Sequence, residues 1–365
     1  LKGINDVNNL GSTDLFGFEI SYDKVKDDIY SQVSPLFNGN ISETYWKTAN
    51  DNYLRGYGYR YDVLNRLIDA WYIEPNNAEY LATNDRIKKY PTTYQTRLIT
   101  YDKNGNITYL RRSGPTGNTV NKIIDRLYYT YQTNSNKLLA VLDGNDSNND
   151  GFKDGNTIGN DYTYDVNGNM ISDLNKGVTS VLYNHLNMPT KVTVTGANAG
   201  VLDYTYSADG IKLQKKKTVG ANVTTTDYAG NHVYENNVLK QFNHPEGYVE
   251  PDGSGYQYVY RLTDIWGNTR ITFADDNNDG SVNSSEIRRE QNYYPFGMEH
   301  QGYNGSMYGA KNNLKTYQKQ EFTEDLGLNT HEWKYRVSDP AIGRFWQVDP
   351  LAEDYTYNST YAFQE

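Results

Sequence analysis

Residues 275–286 read Asp-Asp-Asn-Asn-Asp-Gly-Ser-Val-Asn-Ser-Ser-Glu, the spacing of a twelve-position loop that wraps a hard cation. An ion such as Ca2+ takes roughly six to eight oxygen ligands, and one short segment supplies them by curling around a point. Asp275, Asn277 and Asp279 fall at positions 1, 3 and 5, and Gly280 takes the sharp turn at 6. Ser281 offers its carbonyl at position 7, Asn283 acts at 9 directly or through water, and Glu286 is the bidentate ligand at 12. The competing reading is a polar Asn/Asp turn. Arg270-Ile271-Thr272-Phe273 ahead of the loop reads as strand, so the expectation is a calcium loop inserted in a hairpin, not a paired-helix sensor.

A second stretch, Asp146-Ser147-Asn148-Asn149-Asp150-Gly151-Phe152-Lys153-Asp154, repeats the spacing with Asp146, Asn148, Asp150, Phe152 and Asp154 as candidate ligands. Its position 12 is Thr157, so a bidentate carboxylate has to come from elsewhere. Both loops would be structural staples, suited to calcium-rich extracellular surroundings. Templates for catalysis are missing. His185, His232, His244, His300 and His331 are scattered without metal-ligand spacing, and they read as surface or hydrogen-bonded strand residues. No phosphate-binding glycine loop or nucleophile elbow occurs, and cysteine is absent. No cofactor site beyond structural calcium is expected.

The elements that must position these loops are strands. The chain has 365 residues and a net charge of −10, with no long basic stretch, which argues against a nucleic-acid partner. Lys215-Lys216-Lys217 reads as a solvated strand end. No apolar run approaches the roughly 20 residues that span a bilayer. Low mean hydropathy (−0.82) leans toward disorder, but 36 Tyr, 10 Phe and 5 Trp supply a core that disordered chains lack. The first residue is Leu, and a true N-terminus further upstream is expected.

A phrase recurs along the chain. It appears as Tyr61-Asp62-Val63-Leu64-Asn65-Arg66-Leu67, as Tyr101-Asp102-Lys103-Asn104-Gly105-Asn106-Ile107 and as Tyr164-Asp165-Val166-Asn167-Gly168-Asn169-Met170. Weaker copies begin at Tyr183, Tyr206 and Tyr228, with a Trp266-Gly267-Asn268 variant later; from Tyr164 the starts lie 19, 23 and 22 residues apart. Each phrase has the chemistry of a hairpin. Tyr57, Tyr59 and Tyr61 share one strand face, as do Leu202, Tyr204 and Tyr206, and Tyr256, Tyr258 and Tyr260. Asn-Gly supplies positive φ, and the Asp accepts from turn amides. One hairpin cannot bury its aromatic face, so neighbours must stack into a long antiparallel sheet. Asp23 to Gln32 and Ala310 to Phe322 are the only modest helix candidates.

These residues resemble the YD-repeat or Rhs proteins, which include the shells of bacterial toxin complexes and teneurins. The last quarter is similar to the Rhs-repeat-associated core: Asp264-Ile265-Trp266-Gly267-Asn268-Thr269-Arg270, Tyr293-Tyr294-Pro295-Phe296-Gly297-Met298, Tyr335-Arg336, Asp339-Pro340-Ala341-Ile342-Gly343-Arg344-Phe345 and Asp349-Pro350. The resemblance implies an all-β fold, a hairpin ribbon spiralling into a hollow, here partial, shell. Residues 1–263 are expected as the repeat segment and 264–365 as the core. It also implies that the core plugs the shell and marks where a variable C-terminal cargo begins, a toxin for bacterial competition in that branch. The partners implied are upstream repeats of the same parent chain, the cargo, and secretion machinery. The wording of the core resembles the branch exported to the cell surface by type IX secretion, so a secreted or surface location is expected. A surface adhesin or interaction scaffold is the rival reading.

Many Rhs shells cut themselves after the core, using aspartates in and near a D-P-x-G-L motif. By that resemblance the candidates are Asp349, with Asp339 and Arg336 nearby. The chain departs from the motif, since Leu351-Ala352-Glu353 follows Asp349-Pro350. The expectation is therefore a shell segment and not an enzyme.

Overall fold

The structure is a computed structural model that describes residues 2–26, 32–74, 94–116, 119–144, 150–253, 255–301 and 315–363. Its order begins in the turns. Asp102 sits at the end of a strand and folds its carboxylate over the next residues: Oδ1 accepts the amides of Asn104 (2.8 Å) and Asn106 (2.9 Å), and Oδ2 accepts from the Asn106 side chain at 2.8 Å. Asp165 does the same with Asn167 and Asn169, and Asp264 with Trp266 and Asn268. Asp62 keeps the pattern with Arg66 in place of the asparagine, and Asn184 keeps its amide half. The fourth residue of each turn has positive φ: Asn65, Gly105, Gly168, Asn187 and Gly267. At Gly168 a side chain is doubly excluded, because an added Cβ would lie 2.9 Å from the Tyr361 hydroxyl.

Consecutive turns are then tied together. The Tyr101 hydroxyl donates to the Leu67 carbonyl (2.7 Å) and Tyr131 to Ile107 (2.7 Å), while Tyr183 donates to Met170. The hydroxyl oxygens of Tyr61 and Tyr164 also meet the backbone of the preceding hairpin, at Ile41 and Leu138, there as acceptors. An amide ladder runs alongside. The Asn65 side-chain oxygen accepts from Asn38 and Asn40, that of Asn136 from Asn104 and Asn106, and that of Asn187 from Asn167 and Asn169. Each tyrosine thus buries a ring and satisfies its hydroxyl on the preceding hairpin.

Among the described residues the fold is nearly all antiparallel strand, and its helical pieces are three-residue 3-10 turns. Strands from Gly3–Ile4 to Leu138–Asp143 form a nine-stranded meander, and those from Tyr162–Tyr164 to Ile287–Glu290 a thirteen-stranded one. The second sheet runs on across position 264. Neither sheet closes into a barrel. Instead the ends meet through side chains: Phe16, Phe18, Trp46 and Tyr72 of the first strands share one core with Ile271, Ile287 and Tyr294. Glu290 accepts from Thr48 (3.1 Å) and Asn50 (3.0 Å) across the same seam. A small sheet, Glu321–Thr323 to Arg344–Phe345, then lies against both large ones, and Leu328, Val337, Ile342 and Trp346 join Leu110, Leu127, Val181 and Leu202 in the main core.

Both helix candidates give way in their described parts. Tyr317–Lys319 is a 3-10 turn and Glu321–Thr323 is a strand, because pairing with Thr330–Glu332 outweighs local helix preference. Asp23 to Lys26 is irregular and tied to the neighbouring strand through the Lys26 amide and Glu43 (2.7 Å); residues 27–31 lie outside the described residues. The tyrosine faces at Tyr57, Tyr59 and Tyr61 and at Tyr204 and Tyr206 are largely covered, whereas Tyr256 and Tyr258 are exposed. The Tyr228 copy also departs from the repeat, since Ala229 pairs directly with His232 around a two-residue turn.

If the turn carboxylates hold the ladder, Asp165→Ala should cost about 2 kcal/mol of stability, because it strands amides of the turn. Asp203→Ala, which breaks a half-exposed pair with Lys191, should cost about 0.5 kcal/mol or less. Urea titrations of the two variants check the contrast.

Candidate functional site

Three groups of predicted residues can now be placed. In the 275–286 loop, Asp275 accepts the amides of Asp279 (3.1 Å) and Gly280 (2.9 Å), and Asn277 also accepts from Asp279 at 2.8 Å. Asp279 in turn accepts from Ser281. Gly280 has φ +81°, the conformation the sharp turn requires. The buried Glu286 closes the loop, with one oxygen on the Asp276 amide (3.1 Å) and the other on the Asn283 amide (3.0 Å). Asp276, between two candidate ligands, is clamped by Arg288, which also reaches Glu250 at 2.6 Å on the strand Gly247–Asp252. The loop joins the strands Thr269–Phe273 and Ile287–Glu290, as a hairpin insertion should. Its oxygens are turned onto loop amides, and among the described residues no three acidic or histidine side chains converge as a metal centre.

Of the second loop, Asp146 and Asn148 lie outside the described residues. Phe152 is a buried core residue whose amide donates to Asp125 (2.7 Å), and Asp154 accepts the Asp143 amide at 3.0 Å. Asp150 is half-buried.

The aspartates of the core separate. Arg336 lies 2.7 Å from Asp349 and stacks on Phe345. Asp339 is fully buried, 2.7 Å from the Lys176 ammonium, and accepts the Ala341 amide. Its acidic companion is Asp173, which belongs to no motif in the sequence. Burial pushes Asp173 up to about 7, with Lys176 opposing and Asp339 adding to the rise.

Buried charges also fix the C-terminal sheet, the Lys215 cluster among them. Lys215 is not a solvated strand end. It is buried, 2.8 Å from Asp325 and 3.5 Å from Glu321, while Lys212 meets Glu321 (2.7 Å) and Glu332, and Lys217 meets Asp325 (2.8 Å). Lys215 and Lys217 share one face of the strand, and a bulge between Lys212 and Gln214 brings Lys212 to the same acidic edge. Burial raises the carboxyl of Glu321, but the two ammoniums outweigh it and hold it well below the usual range.

Two histidines depart from the surface reading. His300 is buried among Tyr57, Tyr72, Tyr94 and Tyr294, stacked on Tyr94 at 4.3 Å. The Tyr57 hydroxyl donates its proton to the Tyr94 carbonyl (2.6 Å), so His300 Nε2 must donate to Tyr57 at 2.7 Å. His331 is buried against Tyr317 and Phe322. Burial lowers both, His331 to about 3 and His300 well below its usual value.

Between the first sheet and the core residues is a cavity of about 650 Å³. Its wall carries Tyr59, Tyr61, Tyr101, Tyr131, Tyr317 and Tyr361 together with Arg270 and Arg344.

No family model matches the chain. It is 24% identical to salivary gland surface protein 1 of Aedes aegypti over 213 residues, 55% of this chain and 6% of that protein. Among solved structures it is similar to the crystal structure of TcdB2-TccC3, with 16% identity, a TM-score of 0.40, and coverage of 95% of this chain and 20% of that one. A Photorhabdus luminescens Tc holotoxin pore matches with 13% identity and a TM-score of 0.36 over 99% of this chain and 23% of that one. The chain thus spans less than a quarter of the length of each of these three proteins.

The depressed histidines set a pH window. Their folded pKa lies below the unfolded value near 6.5, so below that pH the unfolded chain binds more protons and stability falls with acid. Asp173, raised in the fold, acts in the opposite sense. Comparing wild type with His331→Gln cancels it: the wild-type advantage should shrink by about 2–3 kcal/mol between pH 6 and pH 4, at up to about 1.4 kcal/mol per pH unit. Denaturant titrations at the two pH values read this; an unchanged difference contradicts a neutral buried His331.

Proposed function

We propose that this chain is a segment of a larger YD-repeat shell that encloses or presents a C-terminal cargo, a toxin in bacterial competition. The observation that carries the reading is the seating of the C-terminal sheet. Arg112, itself buried against Asp125, donates to the Pro340 carbonyl (3.3 Å) and to that of Ala341; Tyr129 donates to Ile342 (3.0 Å), and Tyr361 to Gly168 (2.6 Å). The chain's last described part is thereby anchored on strands and turns of both large sheets, as a plug of a shell has to be. The tyrosine-lined cavity beside it is what the inner face of such a shell would present. Upstream repeats would extend the ribbon from its first strand, and an extracellular or cell-surface location reached by type IX secretion would suit the calcium loops.

The test is protease protection of the whole parent protein. In a shell, the sequence beyond Glu365 resists protease until the repeats are unfolded. Immediate digestion of that sequence, together with binding to glycans or neighbouring cells, would favour the scaffold reading, to which the exposed Tyr256 and Tyr258 lend themselves. Self-processing is separable: a chain cut near Glu365 in wild type and intact in Asp349→Asn would establish it, and identical masses would remove it.

Calcium is proposed for the 275–286 loop. Asp275, Asn277, Asp279, Asn283 and Glu286 are an all-oxygen donor set, which suits a hard cation. Calcium at about one hundred times its dissociation constant should stabilise the fold by about 2.7 kcal/mol. Terbium luminescence and thermal melts should show binding in wild type and its loss in Glu286→Gln; no ion-dependent shift in wild type sinks the assignment.

A further inference from the structure

The wall of the 650 Å³ cavity has an uncompensated charge. Arg66 and Arg270 are paired, with Asp62 at 2.6 Å and Asp264 at 3.4 Å. Arg344 is not. It is 5% exposed, its guanidinium stacks on Tyr361 (4.4 Å) and Tyr131 (5.2 Å), and it donates to the Asn136 carbonyl and weakly to Asn106 (3.5 Å). Among the described residues no carboxylate lies within ion-pair distance of it, and its Nε has no acceptor.

Two further donors in the same wall are buried without an acceptor, Arg270 Nε and the Trp46 indole N–H. Tyr101, Tyr131, Tyr293 and Tyr361 spend their hydroxyls on backbone carbonyls, and Arg66 stacks on Tyr101 as Arg344 does on Tyr131 and Tyr361, so the wall presents aromatic surface beside its cations. The wall therefore combines a buried cation, excess N–H donors and flat aromatic surface, in a space of the size that takes a small organic molecule. A buried guanidinium in a fixed fork recognises a carboxylate bidentately, and aromatic faces accept a planar apolar body.

We infer that this cavity binds a small organic acid, its carboxylate on Arg344 and its planar body against the tyrosine faces. The site is independent of whether the chain encloses a cargo. Such a ligand neutralises the buried cation of the wall that has no carboxylate beside it among the described residues. The acceptor oxygens would also satisfy donors that the fold leaves over.

The probes are indole-3-acetate, its uncharged amide indole-3-acetamide, and plain acetate, titrated calorimetrically into the wild-type chain. The acid should bind at least about tenfold more tightly than the amide, from its charge-assisted bonds. It should exceed plain acetate by at least about tenfold as well, from the ring faces. Arg344→Lys, which keeps the charge but loses the fork, should erase most of the acid-over-amide preference. The comparison of probes on wild type stands even where that variant fails to fold. Equal binding of acid and amide, acetate binding as well as the indole acid, or no binding by any probe to folded wild type overturns the inference.

Discussion

The interaction on which the rest depends is the bond from a turn tyrosine to a carbonyl of the preceding turn. Tyr101 to Leu67 and Tyr131 to Ile107 are the plainest cases. Each is worth only about 1 kcal/mol net, yet its position gives it a larger consequence. It fixes the stacking distance between hairpins that cannot bury their aromatic faces alone. It also explains why so hydrophilic a chain folds, since a tyrosine can enter a core provided its hydroxyl is answered. The aspartate beside it holds the turn that aims the ring, so the two residues of the repeat act together.

A ribbon built this way would be an open sheet with unprotected faces. The chain handles this in two ways. Its last long strands pack on its first through Ile271, Ile287 and Trp46, and its C-terminal sheet covers the inside. The covering is ionic as well as apolar. Lys212, Lys215 and Lys217 meet Glu321, Asp325 and Glu332 in partly dry surroundings, where removing one partner leaves a buried charge and costs more than the pair contributes. That arrangement specifies where the C-terminal sheet sits more than it adds stability.

What was legible in the sequence was local. The Tyr-Asp turns, their Asn-Gly positive-φ sites and the all-β class follow from period-2 alternation and turn chemistry, and the twelve-residue loop after Phe273 falls in a hairpin as its flanks indicated. What was not legible depends on residues distant in the chain. Lys215 reads as solvent-exposed until Glu321 and Asp325 come to it. His300 reads as ordinary until Tyr57 and Tyr94 surround it, and Asp173 carries no signal that Asp339 is its neighbour. The helix pattern before Phe322 lost to strand pairing with Thr330–Glu332. Each of these misreadings is a tertiary partner overriding a local preference.

If the repeats form a shell whose inner face is closed by the C-terminal sheet, electron cryomicroscopy of the intact parent protein should show a closed wall with this segment at one end. Tyrosine rings should face inward, with density for the following sequence inside. An open ribbon, with the following sequence outside and the tyrosine face bare to solvent, would contradict the shell.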